Sequence, residues 1–447
     1  MTTSFVPVLP DGDWIDSPEV VDAYRWDRSG WRPAGRPHGL VVARTVADVQ
    51  ELLRQASDAG VPVVPRGAGS GLAGGASATD GSIILELSRM NRILEIAPAD
   101  RLAVVEPGVV TADLDRAAGA VGLRYAPDPA SVAISTIGGN IATNAGGLRC
   151  AKYGATRESV LGLDVVLADG ALIHTGRRTV KGVAGYDLTS LFVGSEGTLG
   201  VVVGATVKLR PLPSTVVTLG ASFESIDTAA AAAAAIGTLD VEPAMAELLD
   251  SATLAAVADH LGRRVEGGAY LLLQTDGPAA HLEAEAVAAV LRKSAISVEI
   301  ATDDARAEQL VELRRSALPA LERLGRVFIE DVSVPRSRLA EMIRTVADIA
   351  ARTDTAIYTF AHAADGTVHP LVVTPFADEG DERALTAAGE IFAAALRLGG
   401  TVTGEHGVGA LKRRWLEEEV GPGVTALHHT ISHALDPKGI LNPGKAI

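Results

Sequence analysis

The feature that most constrains the fold is a glycine-rich stretch that directly follows an apolar run. Residues 61–64 read Val-Pro-Val-Val, and residues 65–76 read Pro-Arg-Gly-Ala-Gly-Ser-Gly-Leu-Ala-Gly-Gly-Ala. Glycine lets the backbone adopt a positive φ and approach a ligand closely, so consecutive N–H groups can converge on the oxygens of a phosphate. The stretch is therefore a candidate phosphate-binding loop, and a surface turn is the alternative.

Two common nucleotide-binding motifs do not fit this stretch. The GxxxxGK[ST] loop requires a lysine that reaches the phosphates, and no lysine follows here. The GxGxxG motif must open a helix, whereas this stretch continues into more glycine and the turn Thr79-Asp80-Gly81, before a strand at residues 82–87. The sequence thus predicts a different glycine-loop fold.

Composition limits the classes of protein to consider. A chain of 447 residues is expected to form two or three domains. Its formal net charge of −15 opposes binding to nucleic acid, which is not expected as a partner. The single cysteine, Cys150, rules out an intramolecular disulfide and fits a reducing compartment.

The sequence also predicts where the protein resides. Residues 1–6 lack a basic region followed by an apolar one, so no signal peptide is expected. No apolar run is long enough for a transmembrane segment. The expected location is the cytoplasm, with peripheral attachment at the membrane as an alternative.

The patterns around the glycine-rich stretch predict a strand–helix–strand unit. Residues 41–44 form a short apolar strand, Thr45 caps a helix with one apolar face, and Gly60 lies just past its end. The strand at residues 61–64 then leads into the glycine-rich stretch. Sheets of this kind usually bind ligands at strand ends.

A second glycine-rich tract follows at residues 127–131 and 135–147, and a third at residues 193–200. The third tract leads into a predicted strand at residues 201–209. Three such tracts between short strands make surface turns a poorer explanation. They suggest one long ligand that lies across several strand ends.

The composition changes after residues 210–213, where Pro211 and Pro213 mark a domain boundary. The following patterns alternate between strands and Ala-rich helices, which indicates an antiparallel sheet with helices on one face. The elements predicted here are strands at 216–223 and 269–274 and helices at 229–235 and 279–291. The segment from Gly400 onward changes character again and ends in a turn-rich tail at residues 435–445.

Two places concentrate residues able to do chemistry. His362 and His369 follow a predicted strand at residues 356–361, and the turn-forming pair Asp365-Gly366 between them could fold both towards one centre. With Glu405 they would supply two nitrogens and one oxygen to a catalytic divalent metal, either Zn or Mn. Hydrogen-bonded structural histidines are the alternative.

Arg314 lies in a predicted helix with Leu310, Leu313 and Leu318 on its apolar side. A guanidinium can hold a carboxylate with two parallel hydrogen bonds. A solvated charge on a helix surface is the alternative reading of this residue.

Taken together, these motifs resemble the flavin dehydrogenases of the glycolate oxidase and D-lactate dehydrogenase type, in the vanillyl-alcohol oxidase superfamily. The resemblance covers nearly the whole chain. Its strongest parts are Pro65–Ala76, Ile137–Asn140, Gly194–Gly200, Gly404–Gly407 and Asp436–Lys445. It implies an α+β fold with a two-part FAD-binding domain of the vanillyl-alcohol oxidase (PCMH) type over residues 1–212. An antiparallel-sheet substrate (cap) domain would cover residues 213–400, and residues 401–447 would complete the FAD domain and active site.

The resemblance also implies roles for individual residues. His362, His369 and Glu405 would bind the divalent metal, and His406 would be the catalytic base. In the mechanism that follows, the guanidinium of Arg314 would hold the substrate carboxylate. FAD would be bound without a covalent link, because Ser70 stands where covalently flavinylated relatives carry histidine. The residues expected to contact FAD are Pro65, Arg66, Gly67, Ala68, Gly69, Ser70, Gly71, Leu72, Pro127, Asp128, Thr136, Gly138, Gly139, Asn140, Ala142, Thr143, Asn144, Glu196, Gly200, Val202 and Asn442.

Glu405 and His406 are adjacent, so in an extended segment their side chains would point to opposite sides. Gly404 and Gly407 are predicted to bend the backbone so that the carboxylate reaches metal while the imidazole faces substrate.

The function implied by the resemblance is FAD- and metal-dependent oxidation of a D-2-hydroxy acid, similar to D-lactate or glycolate, to the 2-oxo acid. Electrons would pass to a quinone, another flavoprotein or a cytochrome rather than to oxygen, and a homodimer is one option for assembly. One alternative is a metal-free oxidase of the superfamily acting on an alcohol, sugar or phenol. Another is a flavoprotein electron-transfer subunit, which would have no need for the base beside Glu405.

The chain departs from the family pattern at three positions. Ala364 and Thr367 stand where the family commonly has glycine and asparagine between the two histidines, which alters the local turn and one polar contact. Ile329 stands where D-2-hydroxyglutarate enzymes carry a lysine. A second substrate carboxylate would lack that partner, so the sequence disfavours 2-hydroxyglutarate as substrate.

Overall fold

The structure, a computed structural model, describes residues 5–376 and 382–447. The expectation that no signal peptide is present rests on residues 1–6, of which residues 1–4 lie outside this range. The chain divides into two units. The first contains Met1–Gly147, Gly154–Leu212 and Glu405–Ile447, and the second contains Leu148–Tyr153 and Pro213–Gly404.

The elements up to residue 212, in chain order, are β1 (Asp13–Ile15), α1 (Pro18–Tyr24), β2 (Gly39–Val42), α2 (Val46–Ala59), β3 (Val63–Arg66), β4 (Ile83–Glu86), β5 (Ile93–Ala97), β6 (Leu102–Val105), α3 (Thr111–Gly119), β7 (Leu123–Arg124), α4 (Ile137–Thr143), α5 (Cys150–Tyr153), α6 (Thr156–Ser159), β8 (Val160–Val166), β9 (Leu172–Gly176), α7 (Leu188–Phe192), β10 (Val201–Lys208) and β11 (Arg210–Pro211). Of these, α5 belongs to the second unit.

The remaining elements are β12 (Val216–Phe223), α8 (Ile226–Ile236), β13 (Met245–Leu249), α9 (Ser251–Leu261), β14 (Ala269–Asp276), α10 (Ala280–Leu291), β15 (Ser297–Ile300), α11 (Asp304–Arg315), α12 (Ala317–Glu322), β16 (Arg326–Ile329), β17 (Val332–Ser333), α13 (Leu339–Thr353), β18 (Ala356–His362), β19 (Thr367–Thr374), α14 (Glu382–Arg397) and α15 (Arg413–Leu435). A short 3₁₀ helix, Arg336–Arg338, precedes α13. Among the described residues, no helix has both the length and the hydropathy needed to cross a bilayer.

The predicted strand–helix–strand unit around the glycine-rich stretch is confirmed. Strands β2, β4 and β3 are parallel neighbours, and β1 adds an antiparallel edge. The connecting helix α2 begins with a capping box, in which the Thr45 hydroxyl accepts from the backbone N–H of Asp48 and the Asp48 carboxylate accepts from that of Thr45. It ends at Gly60, which has a left-handed φ of 67°.

The first unit contains a second sheet with strand order β5-β6-β10-β8-β9. All its pairs are antiparallel, and β10 matches the strand predicted at residues 201–209. One face packs a core with α3 and α4 that includes Leu114, Ile141 and Phe192. This packing fixes the second glycine-rich tract, because α4 lies within it.

The second unit is built on one large antiparallel sheet with strand order β15-β12-β14-β13-β18-β19-β16, and β17 pairs with β19. The sequence predicted an antiparallel sheet here, and the strand at residues 216–223 has the predicted bounds. The Ala-rich helix α8 starts earlier than the predicted residues 229–235, because Ser225 is its N-cap.

The C-terminal tail returns to the strand that leads into the glycine-rich stretch. Helix α15, which the sequence analysis did not assign, is interrupted at Gly421, where φ is 79°. Beyond it, Leu441 forms a parallel bridge with Val63 of β3, and the backbone N–H of Asn442 donates to the Val63 carbonyl at 2.8 Å. The tail therefore adds backbone to the edge of the β2-β4-β3 sheet.

Candidate active site

A tight hairpin brings His362 and His369 together. Strands β18 and β19 pair in a register that sets His362 opposite Thr367 and Phe360 opposite His369, so both imidazoles lie on one face of the sheet. Their Nε2 atoms are 3.1 Å apart, and both side chains are buried. The turn needs Gly366, because φ is +88° and a Cβ there would lie 2.2 Å from the Val334 carbonyl oxygen. The predicted Asp-Gly turn is confirmed.

A buried carboxylate lies behind this pair. Glu247, on β13, has one carboxylate oxygen 2.6 Å from His362 Nδ1, and its other oxygen accepts a hydrogen bond from Arg314 Nε at 2.8 Å. Burial alone would raise the pKa of Glu247, but His362 and Arg314 outweigh burial and hold this pKa below its ordinary value. Because a carboxylate only accepts hydrogen bonds, the proton on His362 belongs on Nδ1 and the lone pair on Nε2.

The structure excludes the alternative that Arg314 is a solvated charge on a helix surface. Its side chain is 14% exposed, and its guanidinium carbon lies 3.8 Å from the centre of the Phe360 ring. Nε is bound to Glu247. Within the described residues its two terminal nitrogens donate no hydrogen bond, so they are available to a planar carboxylate.

Glu405 is the third donor of the predicted metal set. It follows Gly404, whose N–H donates to Asp331 Oδ2 at 2.6 Å. One ligand atom each from His362, His369 and Glu405 lie within 4.8 Å of one another, and this is the only such group of three or more His, Cys, Asp or Glu found in the part of the chain described. Two imidazole nitrogens and a carboxylate, with a carboxylate behind one histidine, are a donor set that fits Zn or Mn.

The loop around His406 is held by Glu196. Both carboxylate oxygens of Glu196 accept backbone N–H groups, from Val408 and Gly409, each at 2.8 Å. Gly407 has a φ of +85°, so the predicted bend occurs after His406. Gly404 is not in the left-handed region, and it is required for space instead, because a Cβ there would lie 2.4 Å from Ser333 Oγ.

The first glycine-rich loop presents backbone donors. In the described part of the chain, no backbone N–H of residues 68–75 donates a hydrogen bond, and most of these residues are half-buried. A Cβ on Gly67 would lie 2.3 Å from Thr136 Oγ1, so the first and second tracts approach closely at that point. A row of available N–H groups at a strand end is suited to a pyrophosphate. The loop therefore fits the phosphates of FAD.

Several predicted FAD-contacting residues also have structural partners within the first unit. Asn442 donates to the carbonyls of Gly75 and Glu196, at 2.9 and 2.7 Å, and Asn140 donates to Thr111 Oγ1 at 2.7 Å. The other hydrogen-bond partners are Trp26 for Arg66, Pro107 for Gly138, Gly139 for Thr143, Arg157 for Asn144 and Glu196 for Ala142. Two further residues lie at close approaches, because a Cβ on Gly147 would lie 2.3 Å from the Asp128 carbonyl oxygen and a Cβ on Gly200 would lie 2.5 Å from Val165 Cγ1. Val202 is buried within β10. The structure thus joins the first and third glycine tracts to the C-terminal tail through Asn442.

Glu247 was not predicted as a site residue from the sequence. It lies in the run Ala-Met-Ala-Glu-Leu-Leu at residues 244–249, where every residue is buried. A charged side chain is almost never fully buried unless it is paired, so a single glutamate inside an apolar strand was a signal that could have been used. The identity of its partners depends on strand register and had no local signal.

Comparison with protein families gives two matches. Residues 37–176 match the family described as "FAD binding domain", and residues 212–446 match the family described as "FAD linked oxidases, C-terminal domain". The second match alone covers more than half of the chain.

Individual relatives extend over almost the whole chain. The chain is 46% identical over 417 residues to the glycolate oxidase subunit GlcD of Bacillus subtilis, covering 92% of this chain and 88% of that protein. It is 32% identical over 442 residues to a D-lactate dehydrogenase of Anaerostipes hadrus, covering 96% and 93%.

Among solved structures, p-cresol methylhydroxylase with substrate bound is similar with a TM-score of 0.79 at 20% identity, covering 97% of this chain and 93% of that one. At this identity the likeness shows the fold alone. It confirms the predicted α+β architecture of the vanillyl-alcohol oxidase (PCMH) type.

Proposed function

Because the chain belongs to the family of FAD-linked oxidases, we propose that it oxidises a small 2-hydroxy acid of the D-lactate or glycolate type to the 2-oxo acid. The names of its relatives, glycolate oxidase subunit GlcD and D-lactate dehydrogenase, support this substrate class. The observation that carries the proposal is the group formed by His362, His369 and Glu405. Such a group fits a divalent cation, and a 2-hydroxy acid can chelate a cation through its hydroxyl and carboxylate.

The residues of the chain have separate tasks in this reaction. Bound FAD would accept the hydrogen and electron pair from Cα, and a divalent cation would polarise the substrate hydroxyl. Arg314 binds the substrate carboxylate through its terminal nitrogens. His406 accepts the hydroxyl proton on a ring nitrogen, since a neutral imidazole is suited to this near pH 7.

FAD is proposed to bind without a covalent link. The backbone N–H groups of residues 68–75 would hold the pyrophosphate, and Ser70 offers no nitrogen for attachment to the flavin ring. Denaturing the purified yellow protein should release the flavin into solution, and chromatography should identify it as FAD. Flavin that stays with the precipitated polypeptide would contradict this part of the proposal.

The proposed substrate carries one carboxylate. Ile329, the last residue of β16, stands where D-2-hydroxyglutarate enzymes carry a lysine, so a second substrate carboxylate would lack that cation. Thr367, in place of the family's asparagine, bonds Ser333 Oγ through its hydroxyl at 2.8 Å. We therefore expect D-lactate and glycolate to be oxidised faster than D-2-hydroxyglutarate.

The proposed organisation follows the same family pattern. Residues 1–212 form the FAD domain, residues 213–400 provide the substrate (cap) domain, and residues 401–447 complete the active site. The proposed acceptor is a quinone, a flavoprotein or a cytochrome in the cytoplasm or at the membrane surface.

The deciding experiment measures reduction of an artificial dye by the purified protein with a panel of D- and L-2-hydroxy acids. Oxidation of D-lactate or glycolate, with loss of activity on exhaustive chelation and recovery with Zn²⁺ or Mn²⁺, is the expected result. Turnover that survives complete metal removal would favour the metal-free oxidase alternative. No oxidation of any 2-hydroxy acid would refute the proposal.

A further inference from the structure

Glu247 divides its carboxylate between two groups with different tasks. One oxygen is 2.6 Å from Nδ1 of His362, and the other accepts from Nε of Arg314 at 2.8 Å. We propose that Glu247 is a positioning residue that orients both His362 towards the metal and Arg314 towards the substrate carboxylate. The inference rests on the proposed function, because it takes His362 as a metal ligand and Arg314 as the carboxylate-binding residue.

The contact with Glu247 determines which nitrogen of His362 carries the proton. An ionised carboxylate cannot donate, so its hydrogen bond to Nδ1 requires the proton to be on that atom. Nε2 then carries the lone pair and faces Nε2 of His369 at 3.1 Å. Histidines that bind metals usually donate their other N–H to a carboxylate or carbonyl in this way, which fixes both the tautomer and the ring plane.

Glu247 also fixes the orientation of Arg314. Its guanidinium is held at Nε by Glu247 and lies against the ring of Phe360. The same ring lies 5.3 Å from the ring of His369, measured between centroids. Glu247 and Phe360 together fix the plane of the guanidinium while leaving its terminal nitrogens for a ligand.

Stability alone does not explain a charge at the position of Glu247. Glu247 is fully buried in a strand whose other residues, Met245, Ala246, Leu248 and Leu249, are apolar and buried. Replacing buried ion pairs by apolar residues of similar volume is often neutral or stabilising. A carboxylate that two site residues share is better explained by their orientation.

The test is the metal affinity of Glu247→Gln, measured without substrate by equilibrium dialysis of the purified flavoprotein against Zn²⁺ or Mn²⁺ with elemental analysis. A glutamine has one acceptor and one donor at its tip. If the amide oxygen accepts from Arg314, the amide NH₂ faces His362 Nδ1 and moves the ring proton to Nε2, where it blocks the metal. The metal Kd is expected to rise about 10- to 100-fold, the usual effect of losing such a partner.

A kinetic measurement tests the Arg314 half of the inference. At metal concentrations that saturate both proteins, Glu247→Gln should raise KM for the 2-hydroxy acid by roughly tenfold, the loss expected when a guanidinium–carboxylate pair is misaligned. The fall in kcat should be smaller. An unchanged KM would remove Arg314 from the role assigned to Glu247.

Asp276→Asn is the matched control. Asp276 is a buried carboxylate on the neighbouring strand β14, and it binds Lys152 Nζ at 2.5 Å and the Tyr153 hydroxyl at 2.6 Å. Its loss should lower the thermal midpoint while leaving the metal Kd and KM as in the wild type. Metal affinities that fall equally in the two variants would overturn the inference, because the effect would then be general destabilisation.

A second variant covers failure of Glu247→Gln to fold. Glu247→Asp keeps the charge but withdraws the carboxylate by one methylene, so it can reach at most one partner, and its metal Kd should also rise. Wild-type metal affinity in a folded Glu247 variant overturns the inference and leaves the proposed function intact. A wild-type protein that binds no metal refutes the metal-dependent function and the inference with it.

Discussion

At the scale of single residues, Glu196 couples the third glycine tract to the loop that follows His406. Its carboxylate accepts the N–H groups of Val408 and Gly409 from a buried position. Burial raises the pKa of Glu196 from 4.5 to about 7, although the two N–H groups, Lys445 and Lys412 oppose the rise. The contribution of Glu196 to the free energy of unfolding should therefore depend on pH.

The sign of this dependence follows from proton binding. Between pH 4.5 and 7 the folded protein keeps a proton on Glu196 that the unfolded chain has released, so this contribution to stability is full below pH 4.5 and is lost as the pH rises to about 7. The full change is roughly 3 kcal/mol, at about 1.4 kcal/mol for each pH unit. Glu196→Gln lacks this titration.

We therefore expect the thermal midpoint of the wild type to fall relative to that of Glu196→Gln as the pH is raised from 5 to 8. Unfolding of both proteins can be followed in matched buffers by the rise in flavin fluorescence as the flavin is released. Midpoints that run parallel across this range would show that Glu196 does not titrate as inferred.

His406 is the residue on which the proposed chemistry most depends. His406→Asn keeps the size and polarity of the side chain but cannot accept a proton near pH 7, so turnover should fall by about 10²- to 10⁴-fold, the usual contribution of a general base. FAD absorbance and bound metal should remain. Glu405→Gln should instead weaken metal binding, with any loss of turnover following from the loss of metal. Near-normal turnover in a His406→Asn protein that retains both FAD and metal would assign the base to another residue.

At the scale of elements, the β18–β19 hairpin brings together His362 and His369, which are seven residues apart in the sequence. Gly366 allows this, because its φ of +88° is strained for any other residue and a Cβ would meet the Val334 carbonyl oxygen at 2.2 Å. Gly366→Ala should lower both the thermal midpoint and the metal affinity. Gly262→Ala is the control, since Gly262 also has a positive φ, +64°, but a Cβ there would meet nothing within 4 Å beyond its own neighbours in the chain.

The two variants separate strain from collision. Gly262→Ala should cost only about 1 kcal/mol, the range for a residue forced into the left-handed region, and leave metal binding unchanged. Gly366→Ala should cost clearly more and raise the metal Kd. If Gly366→Ala and Gly262→Ala lower stability equally and neither changes the metal Kd, the hairpin tolerates alanine at residue 366. Gly366 would then not be needed to hold the two histidines together.

Elements with local signals could be predicted from the sequence, and contacts set by register could not. Thr45 and Gly60 mark both ends of α2, and the Asp-Gly pair marks the histidine hairpin. By contrast, Glu247 meets His362 because β13 pairs with β18 across more than one hundred residues. Arg314 reaches the same carboxylate from α11. No local pattern encodes these partners, so the sequence indicated the proposed metal ligands but not the residue behind them.

At the scale of the whole molecule, the first unit is assembled from distant parts of the chain. Its last segment, Glu405–Ile447, lies more than 190 residues beyond Leu212 in the sequence. The tail pairs with Val63, and Lys445 donates from a buried position to the Ser77 carbonyl at 2.8 Å. The tail thus contacts the chain both before the glycine-rich loop, at Val63, and after it, at Ser77.

This assembly predicts that FAD binding depends on Asn442. Its amide donates to the carbonyls of Gly75 and Glu196, and it adopts a φ of 42° that asparagine tolerates better than most residues. Asn442→Ala leaves the buried Glu196 carbonyl and the partly buried Gly75 carbonyl without their donor, and an unsatisfied buried group costs about 1–3 kcal/mol. We expect a lower thermal midpoint and an FAD Kd raised at least tenfold, since about 1.4 kcal/mol corresponds to a factor of ten.

Lys438→Ala is the matched control. It removes an exposed hydrogen bond from the same tail to the Ser57 carbonyl, and it should change neither the thermal midpoint nor the FAD Kd. Titration of FAD into the deflavinated proteins, followed by quenching of flavin fluorescence, measures the Kd. Equal FAD affinity in Asn442→Ala and Lys438→Ala would show that the glycine-rich loop keeps its form without the tail's amide.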